Sequence, residues 1–121
     1  LFRTCWSERW PDRERYLGTA RQGAEAVAEL HFPGISPDAA RWLVARGHVA
    51  AVGIDTASID HGPSTEFETH RILRGAGIPA FENVARLAEL PESGSFVVAL
   101  PITIRGGSGG PARIIAILPT S

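Results

Sequence analysis

Residues 48–54 (HVAAVGI) form an almost continuous apolar run. A strand of that kind offers no polar face to water, so it predicts other elements packed on both sides of a sheet. The run gives way to residues 55–63 (DTASIDHGP), a polar loop rich in turn residues. Its flanks read as the covering layers. Ser36 is placed to cap a helix, Pro37 suits the first helical position, and Asp38 adds negative charge at the positive end. Ala39, Ala40, Leu43 and Val44 make the apolar face of that helix, and Gly47 stops it. Beyond the loop, Thr65 and Glu68 have capping-box spacing for a helix that carries Phe67, His70, Leu73 and Arg74 and ends at Gly75 and Gly77. Residues 78–82 read as a short strand, and Asn83 as the cap of a further helix over 84–90, closed by Pro91. Residues 95–104 and 112–118 read as strands joined through GGSGGP into a hairpin.

Upstream, residues 1–4 read as the end of a strand and residues 6–16 (WSERWPDRERY) as an irregular loop. Residues 25–31 read as either a short helix or a strand. This alternation predicts an α/β or α+β layered domain, with a mixed sheet and flanking helices. A length of 121 residues suits one domain, and 44% hydrophobic content suffices for its core. The 12 basic residues, all arginine, nearly balance 13 acidic ones, so the chain has no broad electrostatic footprint for nucleic acid. No apolar run approaches the ~18 residues of a membrane span. Arg3, Glu8 and Arg9 come too early for a signal peptide. One cysteine, Cys5, allows no disulfide within the chain and fits a reducing compartment. The expectation is a soluble cytoplasmic domain. Without a methionine, and opening on Leu1, it reads as a processed product, a fragment or one piece of something longer.

Side chains able to do chemistry concentrate between Asp55 and Glu82, where Asp60, His61, Glu66, Glu68 and His70 also lie. Ligands of open α/β sheets collect at the carboxyl ends of strands, and Asp55 and Asp60 follow such an end. Glu82 closes an apolar strand, so its carboxylate has to be solvated, paired or bound to a cation. A helix end and a strand start separate His70 from Glu82, so the chain can reverse and bring both to one point. Imidazole and carboxylate suit zinc or manganese, but a working site needs three or four ligands. On the residues alone, a structural role for this pair outweighs a ligating one. Asp55 and Asp60 serve equally well as caps of their own loop. Trp6, Trp10 and Tyr16 either line an aromatic pocket or, more commonly, pack across their loop. His61 reads as an exposed loop residue, and His31 and His48 as surface or capping residues. Cys5 has no adjacent base. GGSGG lacks the lysine and the following helix of a phosphate-binding loop.

Several ordered segments resemble one known family. They are Gly53-Ile-Asp-Thr-Ala-Ser-Ile-Asp60, His70-Arg-Ile-Leu73, and Gly77-Ile-Pro-Ala-Phe-Glu-Asn83 with Leu87 and Leu90. Phe96-Val-Val-Ala-Leu-Pro-Ile and Gly110-Pro-Ala-Arg113 continue the series. All are similar to the cyclase family that includes bacterial kynurenine formamidase and the isatin hydrolases. The opening Leu1-Phe2-Arg3-Thr4-Cys5-Trp6 resembles that family's Leu/Arg-Thr-Gly-Trp strand end, with Cys5 in place of glycine.

The resemblance implies a swivelling β/β/α fold and metal-dependent hydrolysis of an amide-like bond, as in conversion of N-formylkynurenine to kynurenine and formate. It implies that His70 and Glu82 are ligands of a zinc or manganese centre. Beside them, Asp55, Ser58 and Asp60 would shape the substrate loop, and Trp6 and Trp10 would contact an aromatic small molecule. The family's principal metal motif, His-x-Gly-Thr-His-x-Asp-x-Pro-x-His, lies upstream of the aligned part, and these 121 residues do not supply it or the expected catalytic histidine. Residues 1–121 are therefore expected to be the C-terminal part of a longer cyclase-like domain. It would work with the missing N-terminal half or a partner chain, as a homo- or hetero-oligomer, and would not be an efficient hydrolase alone. Two other readings stay open: a non-catalytic binding or assembly module that keeps the fold, and a polyketide-type cyclase.

Overall fold

The computed structural model describes residues 1–120. A 3-10 turn at Trp6–Arg9 is followed by helix α1 (Arg13–Leu17), a second 3-10 turn at Ala24–Glu29 and helix α2 (Pro37–Ala45). Strand β1 (Val52–Gly53), helix α3 (Glu68–Gly75), strand β2 (Ala80–Phe81) and a 3-10 turn at Leu87–Glu89 come next. Strands β3 (Phe96–Pro101) and β4 (Ala112–Ile117) complete the order. The α/β class is as expected, but the parallel and the antiparallel strand pairs lie in two separate sheets rather than in one mixed sheet. Contacts divide the chain into two units, Leu1–Leu87 and the stretch from Ala88 onward.

In the first unit, β1 is shorter than the apolar run that announces it. Val52, Gly53 and Ile54 are buried, whereas Ala50 and Ala51 precede the strand and are exposed. Alanine side chains have little surface to remove from water, so apolar character alone does not force them under cover. β1 runs parallel to β2, with Val52 opposite Ala80 and Gly53 opposite Phe81. The Val52 and Ile54 amides donate to the Pro79 and Phe81 carbonyls at 3.0 and 2.9 Å. Gly53 pairs on the other edge, its carbonyl accepting the Phe2 amide at 2.7 Å. Residue 2 thus extends the pairing as a parallel bridge to Ile54, which fits a strand end at the start of the chain.

α2 forms as its local signals predict: Ser36 Oγ accepts the Ala39 amide at 3.2 Å, and Ala40 is fully buried. α3 does not use the expected Thr65–Glu68 capping box. It starts at Glu68, preceded by Phe67 at φ 49° with no side-chain cap. Its first amides turn instead to Asp60, a residue of the preceding loop. Between the helices and β1 lies the core of Ile35, Ala40, Val52, Ile54, Ile59, Leu73 and Ile78.

Two other expectations are corrected. Residues 6–16 are a 3-10 turn and most of α1 rather than an irregular loop, because Asp12 caps the helix by accepting the Arg15 amide at 3.0 Å. No helix fills residues 84–90, where only the turn Leu87–Glu89 forms. A cap residue needs extended backbone. Asn83 sits at φ 55°, and its side chain is taken by Tyr16.

The second unit is the expected hairpin, with Phe96 opposite Ile117 and Pro101 opposite Ala112. Phe96, Leu100, Ile102, Ile104, Ile115 and Ile117 are exposed on it. Among the described residues, no helix is long and apolar enough to cross a membrane.

Candidate functional site

Parallel pairing puts the carboxyl ends of β1 and β2 at one edge, where the loop after β1 meets Glu82 directly after β2. α3, which connects the two strands, brings His70 to the same edge. His70 Nε2 lies 3.3 Å from Glu82 Oε1, and His70 Nδ1 lies 2.6 Å from Asp60 Oδ2. One imidazole thus stands between two carboxylates, one on each ring nitrogen. The Ile59 amide donates to Glu82 Oε1 at 2.9 Å, while Asp60, the next residue, takes His70. Two consecutive loop residues therefore hold both members of the pair read from the sequence.

Asp60 is only 3% exposed and its oxygens are fully engaged. Oδ1 accepts the Thr69 amide at 2.9 Å, and Oδ2 accepts the His70 amide at 3.2 Å as well as facing Nδ1. Thr69 Oγ1 donates to the Ile35 carbonyl at 2.6 Å, which ties the start of α3 to the segment before α2. His70 and Glu82 also wall an open cleft of about 840 Å³, together with Ala57, Ser58, Phe67, Arg71 and Arg74. The arginines were not singled out as cleft residues from the sequence. Their spacing of three on a helix that carries His70 was the available signal.

The other candidates are distributed differently. Ser58 lines the cleft, and its Oγ accepts the Asp60 amide at 3.2 Å. Asp55 is buried and is not among the residues that line the cleft; its Oδ1 accepts the Thr4 amide at 2.9 Å and the Thr4 hydroxyl at 2.6 Å. Its Oδ2 is buried without a hydrogen-bond partner. Trp6 packs across its own segment: Nε1 donates to the Tyr16 carbonyl at 2.7 Å, and the Arg9 guanidinium covers the ring at 3.8 Å. Trp10 is exposed and meets Tyr16 edge-on at 5.6 Å. Neither tryptophan is among the residues that line the cleft with His70 and Glu82.

Tyr16 joins the regions before and after the core, its hydroxyl donating to Asn83 Oδ1 at 2.9 Å. Burial, followed by the charges of Asp55 and Glu82, pushes its phenol up to about 12. The folded chain therefore favours the protonated phenol, and the stability this contributes is intact below pH 10. It is lost as the pH rises from 10 towards 12. Tyr16 is the single tyrosine, so phenolate absorbance reads it alone. The expected midpoint is near 12, falling in Asp55→Asn; a midpoint near 10 in the folded chain would contradict this environment.

His70 and Glu82 are the two residues able to share a cation. Asp60 cannot join them, because it occupies the opposite ring nitrogen. Among the described residues, no group of three or more His, Cys, Asp or Glu side chains is arranged to hold a metal ion.

Comparison with known proteins gives this geometry a context. Residues 1–61 match the model of the Cyclase family, described as Putative cyclase. Isatin hydrolase of Roseibium aggregatum is 28% identical to the chain, the match covering 98% of the chain and 44% of that protein. Kynurenine formamidase of Paracidovorax citrulli is 36% identical, over 69% of the chain and 38% of its own length. Isatin hydrolase A from Ralstonia solanacearum superposes with a TM-score of 0.80 at 30% identity, over 94% of the chain and 43% of that structure. The chain thus spans less than half the length of these relatives, which are hydrolases.

Proposed function

The chain belongs to the Cyclase family, and from that premise we propose that it is part of a metal-dependent hydrolase of the kynurenine formamidase and isatin hydrolase type. Its substrate would be an aromatic small molecule with an amide bond, of the N-formylkynurenine kind. The observation that carries this reading is the convergence of His70 Nε2 and Glu82 Oε1 at 3.3 Å on the wall of the cleft. His70 and Glu82 would hold such a cation through Nε2 and Oε1, and imidazole and carboxylate donors suit zinc or manganese. A bound cation supplies Lewis acidity, polarising a carbonyl and making water nucleophilic at neutral pH.

The chain's own residues would do the rest of the positioning. Asp60 and the Ile59 amide orient His70 and Glu82. Arg71 and Arg74 place positive charge on the cleft wall, suited to the carboxylate that amide hydrolysis releases. Ser58 shapes the same wall. Asp55 would tie the start of this loop to Thr4, and Trp6 and Trp10, which do not line the cleft, would brace the segment around Tyr16. The remaining ligands and the catalytic histidine would come from outside residues 1–121. This stretch is then the C-terminal portion of a longer cyclase-like domain of the cytoplasm.

A second reading, a binding or assembly module that keeps the fold, draws on the exposed apolar side chains of the β3–β4 hairpin. Both readings propose association, with the N-terminal half, a second copy or another partner chain. One preparation tests them, analysed for metal by mass spectrometry and for molar mass by light scattering. Stoichiometric zinc or manganese that disappears in His70→Ala is the expected result. Absence of metal from the chain and from any co-purifying complex would overturn the hydrolase reading, and a strictly monomeric mass would overturn association.

A further inference from the structure

We propose that Asp60 is a positioning residue that fixes the tautomer of His70. It holds the proton on Nδ1 and leaves the Nε2 lone pair facing Glu82 and the cleft. This inference rests on the reading of His70 as a ligand only for its consequence, because the tautomer is a property of the metal-free chain.

The contacts of Asp60 exceed what a helix cap needs. A cap satisfies one or two of the amides left free at a helix start. Asp60 does this for Thr69 at 2.9 Å and His70 at 3.2 Å, yet its shortest contact, 2.6 Å, is to His70 Nδ1. An ionised carboxylate only accepts hydrogen bonds, so Nδ1 has to be the donor. A neutral imidazole carries one proton, for which Glu82 Oε1 competes from Nε2 at 3.3 Å; the shorter 2.6 Å contact to Asp60 places it on Nδ1 and leaves Nε2 with its lone pair. A histidine that binds a cation needs this lone pair, and a carboxylate on its other nitrogen fixes ring and tautomer together.

The surroundings keep Asp60 in place. Its amide donates to Ser58 Oγ at 3.2 Å, and the preceding Ile59 is buried in the core, with its carbonyl accepting the Ile35 amide at 2.7 Å. The backbone that carries the carboxylate is thus pinned to the core, and rotating the side chain away would cost its hydrogen bonds to the Thr69 and His70 amides. Thr65, Glu66 and Glu68 are exposed, and the Phe67 ring meets the imidazole edge-on with centroids 6.0 Å apart.

Asp60→Asn keeps the shorter of the two cap contacts and changes what faces the ring. With its oxygen on the Thr69 amide, the asparagine gives up the 3.2 Å contact to the His70 amide and turns its NH2 group to Nδ1 as a donor. The imidazole proton should move to Nε2, the atom needed for the cation. The test is the ring nitrogen-15 spectrum of His70 in the metal-free 121-residue chain, at a pH where the imidazole is neutral, followed by zinc titration. The wild type should show Nδ1–H. Asp60→Asn should show Nε2–H and bind zinc about 10–100-fold more weakly. Ser36→Ala, which removes the cap of α2, should change neither readout. A wild-type spectrum showing Nε2–H overturns the proposal by itself, whether or not the variant folds. An Asp60→Asn protein that keeps its side-chain oxygen on the Thr69 amide and still shows the wild-type tautomer overturns it too. If the wild type takes up no zinc, His70 and Glu82 do not hold the ion without ligands from outside residues 1–121, and the tautomer alone decides the role of Asp60.

Discussion

Replacing Leu73 with alanine is expected to lower the unfolding free energy by about 3–5 kcal/mol, the upper range for a buried leucine whose surroundings cannot collapse. Leu73 is 0% exposed, and it lies one helical turn beyond His70 on α3. It packs in the cluster that contains Ile54 and Ile59, so its loss opens a void between the helix and the strand that both support the site. Small domains are stable by only ~5–15 kcal/mol, and this single truncation would consume a large part of that margin. Leu100→Ala on the hairpin is the control: Leu100 is 55% exposed, and its truncation should stay within about 0.5 kcal/mol. Urea unfolding of both variants compares them directly. A Leu73→Ala cost below 1 kcal/mol would mean that α3 is not anchored where the core places it.

Elements with local signals were legible in the sequence. α2 carries its cap, its proline and its apolar face within ten consecutive residues, and forms as they indicate. The hairpin likewise follows from two apolar runs around a glycine-rich turn. Reading failed where the deciding partner is distant. α3 has a plausible capping box at its own start, but the backbone left-handed at Phe67 leaves that box unused, and a carboxylate eight residues before Glu68 takes its place. Asn83 has the side chain of a cap, but Tyr16, 67 positions away, claims it. The pairing of His70 with Glu82 was accessible because a single helix-to-strand reversal joins them. The role of Asp60 was not, since nothing in residues 55–63 indicates which way its carboxylate turns.

Gly34→Ala should disrupt fold and site together, because Gly34 is where another segment presses against the loop that holds both His70 and Glu82. A β-carbon on Gly34 would lie 2.7 Å from the Ile59 carbonyl oxygen, and closer still to the Asp60–His61 peptide. All three groups are backbone, so no side chain can swing aside to make room. Overpacking of this kind typically costs ~1–3 kcal/mol, and a rigid backbone neighbour puts the expectation at about 3 kcal/mol. For a chain of this size that corresponds to a fall in Tm of roughly 10 °C or more. Relief requires residues 59–61 to retreat, and the Ile59 amide then draws away from Glu82 as the Asp60 carboxylate draws away from His70. The His70 ring signals should therefore shift or broaden in Gly34→Ala even where the chain remains folded. Gly75→Ala provides the opposite sign. Nothing lies within 4 Å of its β-carbon, and it ends α3, so alanine there should be neutral or stabilise by up to about 1 kcal/mol. Thermal unfolding of the pair decides the matter: equal Tm values would show that the close approach of Gly34 to the 59–61 backbone is not a constraint on the folded chain.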